Sequence, residues 1–208
     1  MNVSQLGIRR LCRSCAAAQT SSATAGTLRD NCSALRTGVS TVLRTSMLPG
    51  MVGMLGWNLH RGNQHVRLFE AGHVFERTGE EKAGERTGES RALCIGATGD
   101  AVPGTVHQKA RPYTFFDLKG VVETLLSAFD QQALSFETLV ADSFHPGRAA
   151  RAVLDGDPVA VFGQLHPRLA AERKLKQEIF LAEIDLERLY RHSLREPKHR
   201  EIPRYPAV

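Results

Sequence analysis

The chain has 208 residues and a mass of 22.9 kDa, enough to bury a core as one ordinary domain or two small ones without disulfide or metal staples. Hydrophobic residues make up 42% and charged residues 24%, which sets aside wholesale disorder, collagen and coiled coil, and no apolar run approaches the roughly 20 residues that span a bilayer. The net charge of +5 sits wholly in residues 1–45, where six arginines face one acid, Asp30; residues 46–208 hold 21 basic and 21 acidic residues, so the overall charge is no evidence for a nucleic-acid surface.

Residues 1–42 are rich in Ser, Thr and Ala, poor in acids and without a sustained apolar period. That composition fits a transit peptide, a disordered tail or a misread N-terminus, and the segment is read as an unassigned basic stretch expected to be disordered. No apolar stretch follows Arg9-Arg10, which argues against a secretory signal. Cys12 and Cys15 form a Cys-x-x-Cys, but neither Cys32 nor Cys94 has a Cys or His at partner spacing. Free thiols are therefore expected rather than a zinc site or a redox pair.

Ser46 is placed to cap a helix with Pro49 in its first turn. Leu48, Met51, Val52, Leu55 and Leu59 follow at helical spacing, and Gly62 supplies the stop. Val66–Phe75 reads as a strand, 76–91 as a solvated loop and Leu93–Ala97 as a second strand. A helix starts near Asp117, with Leu118, Val121, Val122, Leu125, Leu126 and Phe129 as its apolar stripe and Lys119–Glu123 paired outside. Strands are expected at 134–140, 150–154 and 159–165, with Asp155-Gly156 as a tight hairpin turn. Pro167 opens a short helix to about Lys174, Ile179–Leu186 is the last strand, and 191–206, with three prolines and many charges, reads as a linker. This order predicts an α+β fold, a mostly antiparallel sheet flanked by helices. Without βαβ alternation or a Gly-x-Gly-x-x-Gly opening a helix, a dinucleotide fold is disfavoured.

Several residues invite a chemical reading. His60, His65, His73, His145 and His166 suggest a metal or an acid–base pair, yet no two have the i,i+4 spacing of a zinc enzyme, so structural roles and no metal are expected. In His145-Pro146-Gly147-Arg148 the glycine would permit a tight turn, and Arg148 would clamp Asp117 or Glu183 with its planar fork; His166-Pro167 lies at a similar junction. Trp57, Phe115, Phe116 and Phe162 could stack on bases, but aromatics at these spacings are read as core.

Four stretches together resemble the catalytic-like domain in the beta chain of bacterial phenylalanine–tRNA ligase: LRTSMLPGMVGMLGWNLHRG (43–62), VRLFEAGHVFE (66–76), FFDLKGVVETLL (115–126) and FHPGRAARAVLDGDPVAVFGQLHP (144–167). The closing RYPAV (204–208) resembles that family's junction into an anticodon-binding domain. The resemblance divides the chain into the unassigned 1–42, a class II synthetase-like core over 43–190 and a linker over 191–208 toward that further domain. It implies a fragment lacking the family's editing, tRNA-binding and anticodon-binding modules.

The resemblance also implies a core similar to that of the partner alpha chain but without its chemistry. Where the alpha-type core has Gly-Arg-Val-Tyr-Arg and Phe-His-Gln-x-Glu-Gly, this chain has Gly72-His73-Val74-Phe75 and Leu93-Cys94-Ile95-Gly96-Ala97. The glycines expected before Glu187-Arg188-Leu189 are replaced, and Glu183 and Asp185 would repel a triphosphate. Arg188 is read as an exposed helix arginine. No catalytic residue and no cofactor bound by this chain are expected; ATP and magnesium belong to the holoenzyme. The implied partners are an alpha chain, in an α₂β₂ cytoplasmic enzyme without membrane contact, and tRNA through that enzyme. Arg44, Thr45, Leu48, Pro49, Met51 and Leu55 are the candidates for the alpha-chain contact, an ordinary core helix being the competing reading. A stand-alone class II ligase and an RNA-binding module using the basic N-terminal segment are the alternatives.

Overall fold

Helix α1 (Leu48–His60) has Pro49 in its first turn, where a missing N–H leaves no bond unmade. In the computed structural model, which describes residues 9–10, 43–78, 86–130 and 133–196, Met47 is the cap residue and Ser46 Oγ accepts from Leu48 N at 3.1 Å. Gly62 ends the helix with φ +86°, as its position predicts. Helix α2 (Phe115–Leu126) starts two residues before Asp117, because Thr114 is its N-cap and Asp117 completes a capping box. Its Leu118, Val122 and Leu126 point inward. Helices α3 (Pro167–Glu172) and α4 (Leu186–Leu189) are short.

The strands are β1 (Arg9–Arg10), β2 (Val66–Thr78), β3 (Arg86–Thr98), β4 (Asp100–Val102), β5 (Arg111–Pro112), β6 (Leu134–Thr138), β7 (Phe144–Leu154), β8 (Asp157–Leu165) and β9 (Ile179–Asp185). Seven of them form one sheet in the order β1-β2-β3-β9-β8-β7-β6, antiparallel except for the β1–β2 pair, and β4 and β5 make a separate ribbon. This is the α+β, mostly antiparallel sheet flanked by helices that the sequence predicts. The Asp155-Gly156 turn has φ of 51° and 91°, the left-handed pair that a two-residue hairpin favours.

Side-chain alternation sends the central strands to two dry cores. Ile95, Ala97, Phe162, Phe180, Ala182 and Ile184 join the core that contains α2. Cys94, Leu181 and Ile179 join Met47, Met51, Val52 and Leu55 of the α1 side. Gly96 sets how close α1 comes, since a Cβ there would lie 2.6 Å from Met51 Cγ and 2.9 Å from Leu55 Cδ1.

Three sequence expectations are corrected. The expected loop 76–91 is largely strand: β2 and β3 stay paired out to Thr78↔Arg86, with 79–85 outside the described residues. Exposed Glu76 and Arg91 belong to this hairpin, whose outer part needs no apolar alternation to keep its backbone ladder. The strand expected to start at 150 begins at Phe144, so His145-Pro146-Gly147-Arg148 is a bulge of four residues opposite Gln164. Gly147 does not adopt positive φ; the glycine this bulge needs is Gly163, where a Cβ would sit 2.7 Å from Arg148 O. Within the expected linker, the described residues 191–196 return to the body: Arg195 N donates to Ala128 O at 2.9 Å and Asp130 N to Ser193 O at 2.8 Å. Of residues 1–42, over which disorder is expected, all but Arg9–Arg10 lie outside the described residues.

Replacing Gly96 with Ala should force Met51 and Leu55 aside and cost about 1–3 kcal/mol of stability in urea denaturation. Unchanged stability would disprove the close approach of α1 to β3.

Candidate functional site

Glu183 puts a carboxylate on the otherwise apolar α1 face of β9. Its Oε1 accepts from Met47 N at 2.5 Å and its Oε2 from Ser46 Oγ at 2.8 Å, so it holds the start of α1 against the sheet. Burial raises its proton affinity above the ordinary carboxylate value, against the two donors and the nearby Arg44 charge. Arg44 extends this seam to β2: Nε donates to His73 O at 2.7 Å and Nη1 to Glu70 Oε1 at 2.9 Å, while Phe75 N donates to Arg44 O at 2.8 Å. Gly72 leaves room for the guanidinium, which a Cβ there would overlap.

A second clamp fixes the start of α2. Arg111 grips Asp117 with both terminal nitrogens, at 2.9 and 2.7 Å, and Asp117 Oδ2 also accepts from Thr114 N at 2.8 Å and Thr114 Oγ1 at 2.6 Å. The Arg111 guanidinium and these donors hold the Asp117 carboxyl well below the usual carboxylate range. Buried Tyr113 beside it is pushed up to about 12, chiefly by desolvation.

Arg148 therefore clamps neither Asp117 nor Glu183. Its Nη1 donates to buried Gln164 Oε1 at 2.8 Å and to Glu178 Oε1 at 3.0 Å, bridging the bulge to the turn before β9. Asp117 is already gripped by Arg111, and Glu183 is already engaged by α1. Three of the five histidines serve backbone groups, while His60 is exposed and His73 Nδ1 lies 3.8 Å from Glu89 Oε1. His145 Nδ1 accepts from Gly147 N and His166 Nδ1 from Arg168 N, both at 3.1 Å, the latter capping α3 ahead of Pro167. His65 Nδ1 accepts from Asp100 N at 3.0 Å. Among the described residues no three His, Cys, Asp or Glu side chains converge as metal ligands. Cys94 is buried and its thiol is pushed up by desolvation; Cys12, Cys15 and Cys32 lie outside the described residues.

The expected base-stacking set divides. Phe115 and Phe162 stack with centroids 5.5 Å apart in the core, whereas Phe116 and Trp57 are exposed, contrary to a wholly buried reading. The interface candidates divide too. Leu48, Pro49, Met51 and Leu55 are already buried against the chain's own sheet, because the apolar stripe of α1 seals the Gly96 side. Arg44 is half-buried and Thr45 exposed. The outward part of α1 instead carries Trp57, with the Arg61 guanidinium 3.5 Å from its ring centroid, and exposed His60.

At the end of β9, Asp185 accepts from Arg188 N at 3.0 Å and pairs with Arg188 Nε at 3.0 Å, while Arg188 Nη1 donates to Pro158 O at 3.3 Å. Arg91 of β3 is taken by Glu187 at 2.8 Å. The charged groups along this edge thus serve the chain's own strands and helix ends.

The family model for the phenylalanyl tRNA synthetase beta chain CLM domain matches residues 37–186. The chain belongs to this family. The phenylalanine–tRNA ligase beta subunit of Cupriavidus pinatubonensis is 38% identical over 171 residues, 80% of this chain and 20% of that protein. That of Symbiobacterium thermophilum is 33% identical over 168 residues, 81% of this chain and 18% of that protein. The chain therefore spans about a fifth of the length of these relatives. A solved pyrrolysyl tRNA synthetase from Desulfitobacterium hafniense aligns with 71% of this chain and 48% of its own at 16% identity, with a TM-score of 0.49. In this CLM domain Glu183, Arg44, the Arg111–Asp117 pair and Arg148 each join separate elements through polar contacts. Sequence reasoning missed the Arg44 seam and the Arg111 clamp, although Thr114-x-x-Asp117 spells a capping box.

Asp117 and Glu183 should respond to acid in opposite senses. The stability from Asp117, whose folded proton affinity is lowered, is present above its ordinary value of 3.8 and lost as pH falls through the folded value. Glu183, raised from 4.5, contributes through protonation below that value and loses this as pH rises through its folded value. Urea titrations of Asp117→Asn should therefore show a deficit against the parent chain that shrinks on acidification, and a constant deficit would contradict the clamp.

Proposed function

We propose that this chain is a non-catalytic structural module of a phenylalanine–tRNA ligase beta subunit. It would support an alpha chain in a cytoplasmic α₂β₂ enzyme that charges tRNA with phenylalanine, using ATP and magnesium. The family membership supports the subunit assignment. The observation that carries the structural role is that both faces of the central strands are filled by this chain's own apolar side chains, Ile95, Ala97, Ala182 and Ile184 on one side and Met51, Leu55 and Leu181 on the other. Adenylate formation depends on preorganised cations around a pentavalent phosphorus, and removing one such group costs about 10²–10³ in rate. The residues of β3 and β9 do not fit ATP and magnesium: Ile95 and Ala97 give no ligand, Glu183 is committed to α1, and Arg91 and Arg188 are committed to Glu187 and Asp185. No step of the reaction is routed through them.

Amino-acid-dependent ATP–pyrophosphate exchange should be absent for the isolated chain and present for the alpha chain assembled with its beta subunit. Phenylalanine-dependent exchange by the isolated chain would overturn this reading in favour of a stand-alone ligase. The outward surface of α1, with Trp57, His60 and Arg61 beside Arg44 and Thr45, is the contact proposed for the alpha chain. Trp57→Ala should weaken co-purification with the alpha chain by about tenfold or more, as a central aromatic anchor does, while leaving the chain folded because that side chain is half-exposed. Undiminished co-purification would exclude this surface.

A further inference from the structure

Helix α3 ends on a residue that its backbone conformation does not favour. Lys174 N donates to Ala171 O and Leu175 N to Ala170 O, both at 2.9 Å, the paired bonds of a helix end that turns through the left-handed region. Glycine usually holds that position, having no Cβ to crowd the backbone. Here it is Lys174, at φ +55°. The other positive-φ positions among the described residues are Gly62, Gly99, Gly156 and Asp155, the last in a hairpin turn that tolerates aspartate. A cation at the helix end does not account for the lysine, because Arg173, the cap residue, already places one there.

This turn is seated on α1. Leu175 is buried, and a Cβ on Gly56 would lie 3.3 Å from its Cδ2, one residue before Trp57. Lys174 and Lys176 flank that plug and are exposed. Neither meets an acid: Glu172 lies 3.9 Å from Arg168 Nε, and Glu178 pairs with Arg148 at 3.0 Å. Together with Arg61 over the Trp57 ring, they put uncompensated positive charge on and beside the outward part of α1, in a body whose basic and acidic residues balance. Backbone strain retained at such an exposed position points to a contact made outside the chain.

Carboxylates of a protein suit this surface better than a phosphate backbone does. Arg61 occupies a face of the indole on which a base would stack, and Arg61, Lys174 and Lys176 fall short of the row of phosphate contacts that carries nucleic-acid binding. An aromatic–arginine centre with charges at its margin is the make-up of a protein contact. We propose that the Lys174–Lys176 turn is the charged margin of the alpha-chain contact, and that the partner surface covering Trp57 carries carboxylates opposite the two lysines. This rests on the alpha-chain reading of the outward α1 surface. Glycine at 174 would end α3 with less strain but would leave those carboxylates without a partner.

Binding of the intact 208-residue chain to a phenylalanine–tRNA ligase alpha chain, followed by surface plasmon resonance at low and moderate salt, tests this. Lys174→Gly should raise the urea midpoint of the chain by relieving the left-handed residue, yet weaken alpha-chain binding about fivefold, chiefly through the association rate. The combined Lys174→Gly and Lys176→Ser variant should lose most of the parent's salt dependence. Unchanged binding by both lysine variants while Trp57→Ala is impaired would overturn this proposal and leave the α1 contact standing. Unchanged binding by all three, or no binding by the parent chain, would overturn both. A lowered urea midpoint for Lys174→Gly removes the strain and with it the proposal. If the lysine variants instead lose retention of a tRNA transcript in a mobility shift while alpha-chain binding holds, the occupant is RNA and the proposal fails.

Discussion

A carboxylate on an apolar sheet face anchors the start of α1. Without Glu183, Met47 N and Ser46 Oγ would face the greasy surface of β9 with no acceptor, and a buried donor left in that state costs about 1–3 kcal/mol. Anchored there, α1 descends onto β3, where Gly96 lets Met51 and Leu55 reach the strand itself. The Arg44 seam to Glu70 and His73 O fixes the entry of the chain into the same helix. Helix placement, the depth of the α1 core and the direction of its exposed residues all follow from this arrangement.

The same packing decides what the sheet can do. An antiparallel sheet with one solvated face has room for a ligand on that face. Here α1 and α2 cover the central strands from opposite sides, and the alternation along β3 and β9 supplies apolar side chains to both. The polar residues that remain are engaged with the chain itself: Asp117 completes a capping box, Arg148 bridges a bulge, and Asp185 caps α4. Such groups stabilise a scaffold. The outward part of α1 carries Trp57 with the Arg61 guanidinium over its ring, and Phe116, Val140 and Leu194 are exposed elsewhere on the surface.

The bulge of β7 shows how one sequence pattern serves a different end from the one it suggests. His145-Pro146-Gly147-Arg148 has the composition of a turn, yet it is accommodated within a strand pair because Gly163 on β8 lets the bulging backbone approach. Arg148 then reaches over β8 to Gln164 and Glu178 instead of the carboxylates assigned to it. The residue type predicts a fork onto one carboxylate, whereas Nη1 alone serves both partners.

The amino-acid sequence by itself determined the helices α1 and α2, the Asp155-Gly156 hairpin, the antiparallel α+β class and the family, because periodicity, turn chemistry and the order of motifs are properties of neighbouring residues. It also supplied Thr114-x-x-Asp117, a cap whose two partners lie three residues apart. Only the tertiary structure decided that Glu183 meets Ser46, 137 residues away, since that contact exists only once β9 is inserted beside β3. It likewise decided that Leu48, Met51 and Leu55 face this chain's own sheet while Trp57 faces outward. An apolar stripe records that a helix face must be covered; which surface covers it is settled when the strands are ordered and the helix is laid across them.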